Sequence, residues 1–88
     1  MITLREIQED LKSQDLGTYL ALEFISEIAI MREDEGISQK ELSKISGVAQ
    51  KTISRIESGK DVPTLETIGK LIQALGYTPK ITFEKNQF

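Results

Sequence analysis

Apolar residues recur along this chain at the three- and four-residue intervals of amphipathic helices, and the pattern predicts five of them. The first spans roughly 1–14 and places Leu4, Ile7 and Leu11 on one stripe, opened by a Thr3/Glu6 capping box. A helix this short is marginal in water, so its stripe must dock on its own domain or on a second protein. Asp15 and Gly17 read as a break after it. The second helix runs from about Thr18 to Glu35, with Leu20, Phe24, Ile25, Ile28 and Met31 on one face. Leu22, Ala29 and Ile30 widen that face, as expected of a helix covered from two sides. Gly36 supplies the stop.

Ser38 to Gly59 then reads as two short helices about a tight turn. Ser38 and Glu41 form a capping box, Leu42 and Ile45 share an apolar face, Gly47 turns the chain and Val48 tucks beneath the turn. The next helix starts near Gln50, buries Ile53 and Ile56, and stops at Gly59, leaving Gln50, Lys51, Ser54 and Arg55 outward. Amide and guanidinium groups on a short exposed helix suit base edges in a major groove. The same spacing fits a plain helical hairpin with a solvated second helix equally well. After the loop Lys60-Asp61-Val62-Pro63, Thr64 caps a fifth helix carrying Leu65, Ile68, Leu71, Ile72 and Leu75, closed by Gly76. Beyond Pro79 the period changes. Ile81 and Phe83 alternate with Lys80, Thr82 and Glu84, which predicts one short β-strand whose partner would be the same strand of a second copy.

Composition narrows the chemistry. The chain has no cysteine and no histidine, so it has no disulfide framework, no thiolate metal site and no general base of the commonest kind. No metal site, cofactor or enzymatic activity is expected. Charges interrupt every apolar run before it could span a bilayer and no signal-peptide pattern opens the chain, so a cytoplasmic protein is expected. The net charge of −3 conceals an asymmetry: residues 1–37 carry a net −6 and residues 38–88 a net +3. A basic part suits phosphates, and an acidic part suits a cationic partner or plain solubility.

The run Gln39-x-x-Leu42-x-x-x-x-Gly47-Val48-x-x-x-x-Ile53-Ser54-x-Ile56-Glu57-x-Gly59 resembles the helix-turn-helix of the lambda/434 repressor-like (XRE, Cro/C1) family. The resemblance implies an all-α, five-helix lambda-repressor-like DNA-binding domain, here with an N-terminal helical extension and a short C-terminal strand. It divides the chain into an acidic extension (1–17), the helix-turn-helix domain (18–76) and a strand and tail (77–88). By the same resemblance Gln50, Lys51 and Arg55 face base edges, with Gln39, Ser58 and Lys60 near phosphates, and Arg32 pairs with Glu57. Two positions depart from the family. Glu33-Asp34-Glu35 stands at a corner that is usually basic, and Ala49 stands where the family prefers a serine or threonine cap.

The acidic helical extension, together with a strand after Ala74-Leu75-Gly76-Tyr77, resembles the layout of HigA-type antitoxins of toxin–antitoxin modules. That implies a small basic toxin partner of the RelE/HigB type, an mRNA-cleaving ribonuclease, and a homodimer that binds operator DNA to repress its own operon. Homodimer and toxin would form a heterotetramer. Leu4, Ile7, Glu9, Asp10 and Leu11 are the candidate toxin contacts, and Ile81 and Phe83 the candidate dimer contacts. A stand-alone or phage-type repressor without a toxin and a protein-binding adaptor on the same fold are the alternatives.

Overall fold

Asp15 opens a helix rather than interrupting one. Its carboxylate accepts the Thr18 backbone N–H at 3.1 Å and the Thr18 hydroxyl at 2.6 Å, capping a helix that starts at Leu16, two residues earlier than the periodicity suggested. The computed structural model of the chain describes residues 15–86. In chain order these form α1 (Leu16–Asp34), α2 (Gln39–Ser46), α3 (Gln50–Glu57) and α4 (Leu65–Ala74). The architecture is all-α, as expected, but two expectations are corrected. Among the described residues there are four helices rather than five, and no strand. The helix expected over 1–14 lies outside the described residues.

The missing strand has a physical reason. Alternation selects the two faces of an extended segment but supplies no ladder, and a β conformation without a partner leaves its amides unsatisfied. Residues 77–86 leave α4 as irregular chain. Tyr77 N–H closes the end of α4 on the Ile72 carbonyl, and the Tyr77 hydroxyl donates to Glu35 at 3.0 Å, tying the start of this segment to the end of α1. Further on, Ile81 and Phe83 are exposed, Phe83 at 92%.

Each helix contributes one fully buried side chain to the centre: Ile28, Leu42, Ile53 and Leu71. Ile25, Val48, Ile56, Ile68, Ile72 and Leu75 surround them, so α1 and α4 form the support on which α2 and α3 rest. On the shorter helices, two residues assigned to apolar faces stay outside. Ile45 is 55% exposed and Leu65 76% exposed: Ile45 stands near the end of α2, beyond the buried Leu42, and Leu65 is the first residue of α4, before that helix reaches the core. Nor is α1 covered from two sides by the described residues. Leu20, Leu22 and Ile30 remain substantially exposed.

Local chemistry fixes the turn between α2 and α3. Gly47 closes α2 at φ 78, where a Cβ would meet nothing within 4 Å, so backbone conformation rather than space requires glycine. Val48 is buried, and its peptide is satisfied on both sides: the Ser43 hydroxyl donates to its carbonyl at 2.6 Å and its N–H donates to Ser46 Oγ at 3.1 Å.

Ala49 is the N-cap of α3 and offers no side-chain acceptor. Ala49→Ser should therefore raise stability by about 1 kcal/mol, read as a higher urea midpoint. An unchanged midpoint would mean that solvent already satisfies the first N–H groups. A second expectation concerns pH. The Thr18 hydroxyl, then the Thr18 backbone N–H, hold the Asp15 carboxyl below its ordinary pKa. The cap thus contributes fully above the unfolded-state value and is lost as pH falls through the lower folded value. Asp15→Ala should lower the melting temperature at neutral pH and by a smaller margin in strong acid.

Candidate nucleic-acid interface

The orientation of α3 is set from its carboxyl end. Glu57 receives Arg32 Nε at 2.9 Å and Arg32 Nη2 at 2.8 Å, a two-pronged pair linking α1 to α3. Arg32 Nη1 donates to the Ile37 carbonyl at 2.8 Å, and Gln39 Nε2 donates to Glu57 at 3.1 Å. One ion pair therefore gathers the last turn of α1, the loop after it and the first residue of α2. The side chains of Arg32 and Glu57 are only 13% and 10% exposed. Burial opposes the charged guanidinium, but the bond to Glu57 outweighs it and raises the Arg32 pKa further. The pairing expected between these residues is present.

Along α3, Gln50, Lys51, Ser54 and Arg55 are exposed while Ile53 and Ile56 are buried. Successive residues advance by 100° on a helix, so burying 53 and 56 turns 51 and 55 away from the core, while Gln50 is exposed as the first residue of the helix. Lys40 and Lys44 on α2 and Lys60 after α3 are also exposed.

The six residues assigned to DNA fall into two groups. Gln50 and Lys51 open α3 as exposed side chains, and Lys60 is exposed with its backbone N–H on the Arg55 carbonyl at 2.9 Å. The other three are already engaged. Gln39 is half-buried and gives its amide to Glu57, and the Ser58 hydroxyl donates to the Arg55 carbonyl at 3.1 Å. Arg55 holds Asp61 through Nε at 2.6 Å and Nη2 at 3.1 Å. The carboxylate raises the Arg55 pKa, and the guanidinium lowers that of Asp61.

Sequence reasoning missed Asp61, Ser43 and Ser46. A carboxylate six residues from an arginine, across a glycine turn, was the only available signal for the first. Glu33 lies 4.0 Å from Arg32 and Glu35 accepts from Tyr77, so two acids of the unusual corner have partners within the chain. The Glu35 hydrogen bond raises the Tyr77 pKa.

A second surface lies along α1. Leu20 and Phe24 border an apolar groove that meets Val62, Pro63 and Leu65 on one side, while Met31, Tyr77 and Pro79 continue it on the other. Glu23 and Glu27 stand along its rim. The candidate toxin contacts Leu4, Ile7, Glu9, Asp10 and Leu11 lie outside the described residues, and among those residues no helix is long and apolar enough to cross a membrane.

Two short helices joined through a left-handed glycine, the second docked by isoleucines and exposing polar residues, define a helix-turn-helix protein of the repressor-like class. Comparison with known proteins agrees. The family described as Helix-turn-helix (HTH_3) matches residues 28–81, and the chain belongs to it. Membership makes it a DNA-binding regulator rather than an enzyme. An uncharacterized HTH-type transcriptional regulator of Haemophilus influenzae is 42% identical over 84% of this chain and 71% of its own length. Antitoxin HipB of Escherichia coli K12 is 32% identical over 77% of each chain. No solved structure matches the chain.

Removing one partner of the α1–α3 pair leaves a poorly solvated charge behind. Glu57→Ala should cost about 3 kcal/mol in urea unfolding, and Arg32→Met with Glu57→Leu should recover most of that loss. A double variant as unstable as Glu57→Ala would show that the pair contributes net stability as well as orientation.

Proposed function

We propose that this chain is a homodimeric operator-binding repressor that also neutralises a small basic toxin encoded beside it, and that it works in the cytoplasm. The observation that carries the DNA half is α3, with Ile53 and Ile56 buried and Gln50, Lys51 and Arg55 exposed. In this reading those three meet base edges and Gln39, Ser58 and Lys60 approach phosphates. Ser58 can donate to a phosphate only by giving up its bond to Arg55.

Reading a two-fold operator needs two recognition helices about 34 Å apart, and one chain supplies one. The exposed Ile81 and Phe83 are the apolar residues of the 77–88 tail that would self-associate. The tail, the 18–76 domain and the 1–17 extension thus take separate roles in dimerisation, DNA reading and toxin binding.

Relatives named antitoxin HipB support a toxin partner without choosing its kind. The RelE/HigB type is the one implied by the HigA resemblance. Leu4, Ile7 and Leu11 would supply apolar anchors and Glu9 and Asp10 the steering, with the Leu20–Phe24 groove and its rim acids Glu23 and Glu27 extending that surface. Basic RNA-binding surface on the toxin complements those acids. Neutralising dimer and toxin would form a heterotetramer. The Haemophilus relative, named only as a transcriptional regulator, favours the second reading, a repressor without a toxin.

Co-expression with each neighbouring gene, followed by purification and a gel shift on the upstream DNA, separates these readings. The proposal expects a basic protein to co-purify and one duplex to shift. A shift without a co-purifying partner leaves the plain repressor, and no shift removes the DNA half. Ile7→Asp should release the toxin while leaving the free chain folded. Arg55→Ala should weaken the cognate duplex by about five- to a hundredfold, with little change on unrelated DNA.

A further inference from the structure

The arginine at the end of the recognition helix is held by one edge. Arg55 gives Nε and one Nη2 hydrogen to the two oxygens of Asp61, at 2.6 and 3.1 Å. A guanidinium carries five N–H bonds in one plane, so both Nη1 hydrogens and the second Nη2 hydrogen remain. The forward-pointing pair, one on Nη1 and one on Nη2, forms a second fork at the tip of the side chain. Two parallel donors in that arrangement match guanine O6 and N7 in the major groove.

The loop is shaped to hold this arginine. Gly59, at φ 78, turns the chain back after α3. The Ser58 hydroxyl and the Lys60 N–H both bond the Arg55 carbonyl, and Asp61, one residue on, takes its side chain. The backbone and side chain of one residue are thus fixed by positions 58, 60 and 61 of the same turn. Stability is a poor account of the outer bond. The Arg55 and Asp61 side chains are 44% and 47% exposed, and ion pairs so exposed contribute little.

We propose that Asp61 is a specificity-determining positioning residue: it grips the side edge of Arg55 so that the end-on fork faces a guanine, and it keeps that arginine from settling on phosphates. The inference rests on the reading of α3 as the DNA-reading helix. Two effects follow from one carboxylate. Fixing the plane of the guanidinium makes the fork selective for a base with two acceptors in line. The negative charge beside it cancels part of the attraction that backbone phosphates exert on any free arginine, so sequence-independent binding is weakened.

The test uses the full-length chain and duplexes selected from a random library of base-pair sequence, with sequencing of what the parent, Asp61→Asn and Arg55→Ala proteins each retain. The base pair read by Arg55 is the one whose guanine preference disappears in Arg55→Ala. The parent should prefer guanine there by about tenfold or more. Asp61→Asn should keep less than about a third of that preference, bind a scrambled duplex several-fold more tightly, and steepen the salt dependence by about one counterion. Its melting temperature should stay close to that of the parent. An undiminished guanine preference in Asp61→Asn overturns the assignment, as does an equal loss on all duplexes accompanied by a lower melting temperature. A parent protein that enriches no motif overturns the reading of α3 itself, and with it the role of Asp61.

Discussion

The directional contact between Arg32 and Glu57 is the constraint on which the rest of the arrangement depends. Isoleucine and leucine side chains bring α2 and α3 onto α1 and α4, but apolar burial is non-directional and tolerates small rotations. A guanidinium meeting a carboxylate by two parallel bonds does not. Because the same carboxylate also receives Gln39, and the same arginine also holds the Ile37 carbonyl, both ends of the helix-turn-helix are referred to the last turn of α1. Desolvating both charges offsets most of the attraction, so the pair is best understood as fixing geometry.

That geometry produces the exposed face of α3 as a consequence of burial. Helices of eight residues are not stable alone, and α2 and α3 persist only because Leu42, Ile53 and Ile56 are buried against Ile28 and Leu71. Once Ile53 and Ile56 are committed to the core, the helical period leaves Lys51 and Arg55 outward, and Gln50 is exposed at the open start of the helix. A rotation of α3 that hid those polar residues would expose two isoleucines and break the bonds to Glu57. The exposed polar chemistry of α3 is thus secured by residues that lie in the core.

How much of this was legible in the sequence depended on the range of the interaction involved. Helix periods, the Ser38 and Thr64 caps and the glycine turn are local, and each stands where the pattern placed it. Asp15 was misread because an aspartate near a glycine signals a break and a cap alike, and only the Thr18 bonds distinguish them. Ile45 and Leu65 failed as core residues because periodicity gives a face but not the reach of the core beneath it. The tail failed as a strand because alternation carries no information about a partner. The Arg32–Glu57 pair spans 25 residues and was reached only through family resemblance. The Arg55–Asp61 pair lies at a spacing that no regular helix rule covers, and a carboxylate just past a glycine turn is too weak a signal to join them.

The charge distribution shows why a chain of net charge −3 can belong to a DNA-binding family. Field at the interface, not total charge, governs attraction to phosphates, and exposed charges are screened over about 8 Å at physiological salt. Glu23 and Glu33 are ten residues apart on one helix, which at 1.5 Å per residue separates them by about 15 Å. Glu23, in the middle of α1, and the acids at the end of the helix therefore act on different neighbourhoods. Glu23 and Glu27 flank the apolar groove, where a cationic surface gains from them. Glu33 and Glu35 instead sit near the Arg32 end of the helix-turn-helix, partly occupied by Arg32 and the Tyr77 hydroxyl. What charge they retain there subtracts from phosphate attraction, in the same direction as Asp61 beside Arg55. On the proposed DNA-reading function, carboxylates beside the chain's own cations lower the affinity shared by all DNA sequences, so more of the discrimination rests on the few side chains that reach the bases.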